Sequence, residues 1–169
     1  MKKKILVLSV IIFAFALLCG CQYYGKAPQS DFKFDKISVV LPSGFKITAD
    51  GGSVAALNEN YPTESDNITF TSGLADSVEN YSREKLDTKY QQTIAGFQDS
   101  TFFEKKQQDG FDIVIYKFDV DHKGVQMKTT QCVVFCADRI NVVTFTSVSG
   151  KYDEAFQACL ESLKVNPAA

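Results

Sequence analysis

The chain has one histidine, His122, and any catalytic triad or histidine-activated cysteine has to use it. It lacks a glycine-rich phosphate loop ending in Lys and Ser or Thr, and it lacks a dinucleotide fingerprint. Nucleotide chemistry therefore has no sequence basis, and no cofactor is expected. Internal repeats and low-complexity tracts are also missing. So is an excess of positive charge, since Lys and Arg number 18 against 20 Asp and Glu. Clustered cations are what nucleic acid and anionic lipid reward, so nucleic acid is not an expected partner.

The strongest positive signal lies in residues 1–21. Met1-Lys2-Lys3-Lys4 is a basic start, Ile5 to Leu18 is apolar, and Leu18-Cys19-Gly20-Cys21 closes the run. A charged front, an apolar core and a small residue before the cut describe a secretory signal. The apolar run is shorter than the ~20 residues that cross a bilayer, which argues against a retained transmembrane helix. The ending resembles the lipobox of bacterial lipoproteins. That resemblance implies cleavage after Gly20 and a diacylglyceryl group on Cys21. Cys19 departs from the small residue more common at its position. Two acyl chains suffice for lasting attachment where a single chain is marginal. The expected site is thus the extracytoplasmic face of the cell membrane.

Removing residues 1–20 takes three lysines and no acid. Lys plus Arg falls from 18 to 15 against 20 acids, which leaves a mature charge of −5. Residues 21–33, with Gly25, Pro28 and Ser30, read as the lipidated cysteine and a flexible tether. Tyr23 and Tyr24 fit either a lipid interface or a plain linker. Residues 34–166 suit a single compact domain.

Along that domain, Phe34 to Leu41, the turn Pro42-Ser43-Gly44, and Phe45 with Ile47 read as a first hairpin. Val54 to Leu57 is a short strand or a helical turn, Asn58 to Asp66 a loop, and Asn67 to Thr71 a strand. Ser82 is positioned as an N-cap, and Leu86, Tyr90, Ile94 and Phe97 give one apolar stripe, which predicts a helix over 82–95. From Ser100 the period becomes two. Strands 101–107, 111–120, 125–136 and 140–148 are predicted, separated by Asp109-Gly110, Asp121 to Gly124, and Ala137 to Arg139. Strand 111–120 is apolar on both faces, so both of its faces should be covered. Tyr152, Phe156, Cys159, Leu160 and Leu163 form a second amphipathic helix. The fold class is α+β, an antiparallel meander flanked by two helices.

Candidate chemistry is sparse. Asp119-Val120-Asp121-His122-Lys123-Gly124 begins like a calcium loop, but Lys123 takes the third ligand position and Thr130 stands where the bidentate Glu belongs. A solvated hairpin turn explains it better. Gly51-Gly52-Ser53-Val54-Ala55 has only part of a nucleophile elbow, so a hydrolase using Ser53 and His122 is a weak third reading. Cys132, Cys136 and Cys159 are odd in number. At strand rise the Cα atoms of Cys132 and Cys136 sit ~13 Å apart, beyond disulfide reach. Either could meet Cys159, and with His122 the three make a conceivable zinc set. Three buried thiols are the simpler expectation. No catalytic, cofactor-binding or metal residue is assigned.

The order of motifs in the C-terminal half carries a family resemblance. The Asp-Gly hairpin, the long strand pair, Val142-Val143-Thr144-Phe145-Thr146, Lys151-Tyr152-Asp153-Glu154-Ala155-Phe156 and Leu160-Glu161-Ser162-Leu163-Lys164-Val165 follow in succession. The succession looks like the fold shared by the photosystem II extrinsic protein PsbP, the Ran-binding Mog proteins and a set of bacterial lipoproteins. Ile37 to Ile47 is similar to that family's opening strand, Leu-Pro-x-Gly-Phe and strand. The resemblance covers roughly residues 34–166 and implies an α/β/α sandwich. It also implies a binding or assembly role, with no residue roles to transfer. Two functional expectations follow. The first is a membrane-anchored, non-catalytic lipoprotein that binds a protein partner or envelope component. The alternative is a small-ligand binder with an apolar pocket between the sheet and the helix over 82–95.

Overall fold

The structure, a computed structural model, describes residues 31–50 and 53–166. In chain order its elements are β1 (Asp31–Phe34), β2 (Ile37–Val40), β3 (Phe45–Asp50), β4 (Ser53–Asn58), β5 (Asn67–Leu74), α1 (Arg83–Thr93), β6 (Phe97–Gln108), β7 (Phe111–His122), β8 (Val125–Phe135), β9 (Arg139–Ser147), α2 (Asp153–Glu161) and β10 (Lys164–Val165). A short 3-10 turn, Val78–Asn80, precedes α1.

The alternating region from 97 to 147 is a four-strand antiparallel meander, β6 to β9. Its tight turns come from local chemistry. Asp109 and Gly110 have φ of 54° and 83°, and Lys123 and Gly124 have φ of 56° and 84°. Both central residues being left-handed is what a type I′ hairpin turn requires. Asp121 holds the second turn by accepting the Gly124 N–H at 2.7 Å and the Gln126 side-chain amide at 2.8 Å. The segment that begins like a calcium loop is therefore a hairpin tip.

A second meander, β3 to β5, joins the first through β5 and β9. The seven-stranded order is β3-β4-β5-β9-β8-β7-β6. Alternation then sends side chains to two separate cores. Ile113, Ile115, Cys132, Val134, Val143 and Phe145 meet Phe156, Cys159 and Leu163 together with Ile37 and Val39 of β2. Val114, Tyr116, Phe118, Val120, Val133 and Phe135 meet Leu86, Tyr90 and Ile94. Both faces of β7 are covered because α1 and α2 lie on opposite sides of the sheet. The architecture is the α/β/α sandwich that the family resemblance implies.

Three details depart from the sequence reading. The first hairpin is β1 with β2, turning at Asp35, where φ is 52°. Its β1 begins at Asp31, inside the stretch read as tether. β3 pairs with β4 instead, because β1 and β10 already occupy both edges of β2. β10 is only two residues long, too short to carry a period of its own. Finally, α1 stops at Thr93: Ile94 is its C-cap, and Phe97 already belongs to β6.

Gly96 makes that abrupt change possible. Its φ is +85°, its carbonyl accepts the Asp121 N–H at 2.8 Å, and a Cβ would sit 1.8 Å from the Asp121 carbonyl oxygen. Around Gly110 there is open space, so only its φ of +83° matters. Gly96→Ala should cost roughly 2–4 kcal/mol and Gly110→Ala about 1 kcal/mol, since backbone collision adds to left-handed strain only at the former. Urea denaturation of both variants checks the ranking. Equal losses would show that the α1–β6 corner relaxes freely.

Candidate functional site

The residues singled out from sequence do not converge. Gly20, Cys21, Tyr23, Tyr24, Gly51 and Gly52 lie outside the described residues. Ser53 opens β4, whereas His122 ends β7, and β5, β9 and β8 run between those strands. At a strand spacing of about 4.8 Å they are ~19 Å apart across the sheet, too far for nucleophile and base. The conceivable zinc set fails similarly. Cys132 and Cys159 share the core under α2, while Cys136 follows the end of β8 that pairs with Asp112, at the opposite end of β7 from His122. No group of three or more His, Cys, Asp or Glu among the described residues could hold a metal ion.

The three cysteines among the described residues, Cys132, Cys136 and Cys159, are free. Cys132 and Cys159 are buried, and burial pushes both thiols up to about 12. Cys136 departs from the expectation of three buried thiols, being only half-buried where β8 runs out. Burial raises its pKa too, so it is not a ready thiolate.

On the α1 side the interface is filled. The Tyr90 hydroxyl donates to Gln131, that of Tyr116 donates to Asp87, and Arg83 Nε donates to Ser100 Oγ at 2.8 Å. Burial pushes the Tyr90 and Tyr116 phenols upward and that of Tyr81 to about 12. The expected apolar pocket beneath residues 82–95 is thus occupied by Leu86, Tyr90 and Ile94 themselves.

Two clefts lie against α2. One, of about 360 Å³, is bordered by Val40, Pro42, Tyr152, Ala155 and Cys159. The other, of about 180 Å³, lies between α2 and the middle of β6 to β9. Its position follows from the register. Phe102, Lys117, Thr130 and Phe145 form one cross-strand row, and Asp119, Lys128 and Ser147 form the next. Phe156 and Leu160 of α2 close the apolar side. Lys117 lies over the Phe102 ring at 5.5 Å, and Lys128 pairs with Asp153 at 3.8 Å. Asp153 also accepts from the Ser147 hydroxyl. No sequence motif marked this site, because its residues come from five elements.

The exposed large hydrophobics among the described residues are Leu74, Phe102 and Val125. Leu74 ends β5, Val125 begins β8 beyond the hairpin tip, and Phe102 lies within β6. Isolated residues of this kind are ordinary on protein surfaces.

No family model matches the chain, and no curated protein matches it by sequence. Solved structures do match in fold. The PsbP protein CyanoP from the cyanobacterium Synechocystis is similar with a TM-score of 0.62 at 14% identity, over 88% of this chain and 98% of that one. LpqN from Mycobacterium tuberculosis, involved in cell envelope biogenesis, is similar with a TM-score of 0.50 at 13% identity, over 88% and 90% of the two chains. A protein from Bacteroides thetaiotaomicron gives 0.48 at 16% identity over 77% of this chain, which spans only 45% of that protein. The domain therefore has a PsbP-like fold.

Thiol chemistry offers a direct check of the core. A bulky disulfide reagent should label Cys136 in the native protein, and Cys132 and Cys159 only after unfolding. Labelling of all three at one rate would contradict the packing. The same burial predicts a pH dependence. Cys132 and Cys159 keep their protons well above the usual 9.0 of a thiol. Above that pH the unfolded chain loses protons that the native state retains, so stability is full below about 9 and falls as pH rises toward about 12. Urea midpoints at pH 7, 9 and 10 should fall in that order over the upper interval, and Cys159→Ala should flatten the slope.

Proposed function

We propose that this protein is a lipid-anchored, extracytoplasmic, non-catalytic lipoprotein whose PsbP-like domain binds a protein partner or envelope component near the membrane. The observation that carries the reading is the sequence Leu18-Cys19-Gly20-Cys21 at the end of an apolar run, about ten residues before the first strand at Asp31. Lipidation at Cys21, after cleavage behind Gly20, puts two acyl chains on the N-terminus. No helix among the described residues is long and apolar enough to cross a membrane. A mature charge of −5 gives little electrostatic grip on anionic lipid, which leaves attachment to the acyl chains.

Several observations support binding over catalysis. Ser53 and His122 are kept apart by three strands. Similar structures with TM-scores of at least 0.50 include a PsbP protein and a protein involved in cell envelope biogenesis. With large apolar side chains exposed only singly among the described residues, a binding surface there would be polar and its complexes reversible.

Fractionation of expressing bacteria tests the anchor. The wild-type protein should sediment with membranes and incorporate a labelled fatty acid, and Cys21→Ser should abolish both. A Cys21→Ser protein that still took up the label would overturn the assignment. Cross-linking in intact cells, followed by detergent extraction, should recover a stoichiometric envelope partner, and its repeated absence would count against the binding role.

A further inference from the structure

The cleft between α2 and β6 to β9 holds two opposite charges that no ion pair joins. Of its four ionic side chains, Lys128 and Asp153 satisfy each other at 3.8 Å. Lys117 and Asp119 do not. They stand two apart on β7 and so share its α2-facing side, with Cα atoms separated by about 6.8 Å. The Asp119 side chain makes no hydrogen bond or ion pair within the described residues, since Lys128 across from it on β8 is turned to Asp153, and the Lys117 ammonium has only the face of Phe102, at 5.5 Å. Thr130 lies directly across from Lys117 on β8 and is half-buried, and its hydroxyl has no partner there either. Beside these groups lies an apolar wall of Phe145, Phe156 and Leu160.

Half-buried charges at the edge of a low-dielectric surface gain from a partner that brings both complementary charges at once. A ligand with a single charge would leave the other group open. The volume of about 180 Å³ is below the ~300 Å³ at which drug-sized pockets begin, and this restricts the occupant to a small metabolite. We propose that this cleft binds a zwitterion of that size, an α-amino acid with an apolar side chain. Its ammonium meets Asp119, its carboxylate meets Lys117 and the Thr130 hydroxyl, and its side chain packs on Phe145, Phe156 and Leu160. This site lies on the opposite face of the sheet from α1.

Titration calorimetry on the full-length protein in detergent, with L-leucine and L-phenylalanine, tests it. At least one should bind saturably. N-acetyl-L-leucine, which lacks the ammonium, and L-leucinamide, which lacks the carboxylate, should each bind at least about tenfold more weakly than L-leucine, as expected when one charged hydrogen bond is lost. Asp119→Asn and Lys117→Gln should each weaken binding of the amino acid by a similar factor while leaving the urea midpoint of the ligand-free protein unchanged. Cys21→Ser should leave binding intact, which separates this result from any failure of the anchoring role. No saturable binding of either amino acid up to about 10 mM, weaker than the millimolar affinities of small ligands, would overturn the proposal. Equal affinity for the capped analogues, or variants that bind as wild type, would overturn it as well.

Discussion

The register of β5 on β9 is the constraint on which the rest of this molecule depends. Eight consecutive residue pairs, from Asn67 with Thr146 to Leu74 with Arg139, join two meanders that are otherwise separate. Ile68 lies opposite Phe145 and Phe70 opposite Val143, so the pairing places four large apolar side chains in the core under α2. A slip of one residue would turn all of them outward. Asp66 locks the end of this pairing. Fully buried just before β5, it accepts the N–H groups of Val148 and Ser149 at 3.0 and 3.3 Å and the Ser149 hydroxyl at 3.0 Å, just beyond β9. A buried carboxylate with three donors tolerates little displacement of either strand.

The surrounding layers take their places from that seam. Phe70 packs against Phe32 and Phe34 of β1, with ring centroids at 4.9 and 5.8 Å, which seats the small sheet. Phe145 packs against Phe156 at 5.5 Å, which seats α2. Arg139, paired with Leu74 at the far end of the seam, reaches Asp35 at 3.1 Å and ties down the β1–β2 turn. The cleft beside α2 then follows: α2 lies where Phe145 and Cys132 hold it and leaves Lys117, Asp119 and Thr130 at its open flank.

How much was legible beforehand varied with the range of the interaction. The four-strand meander could be read from period-two alternation and from Asp109-Gly110, because turn type and side-chain direction are set within a few residues. Ser82 was readable as a cap for the same reason, and its hydroxyl accepts the Lys85 N–H at 3.2 Å. The partner of β3 was not readable. Pro42-Ser43-Gly44 looks like a hairpin turn, yet both edges of β2 are claimed by residues far away in sequence, β10 included. The packing beneath α1 was not readable either. Tyr90 and Leu86 showed that α1 has an apolar face, but whether that face packs tightly depends on Tyr116, Phe118 and Gln131 opposite it.

By itself the sequence determined the identity of most strands, both helices and the absence of a nucleotide motif. These are properties of contiguous residues, fixed by period, capping and turn chemistry. Only the tertiary structure decided that Ser53 and His122 stand apart, that Cys136 alone of the three thiols is half-exposed, and that Lys117 and Asp119 share a cleft with α2. Those outcomes depend on strand order and register across the sheet. Local chemistry leaves both open until β5 meets β9.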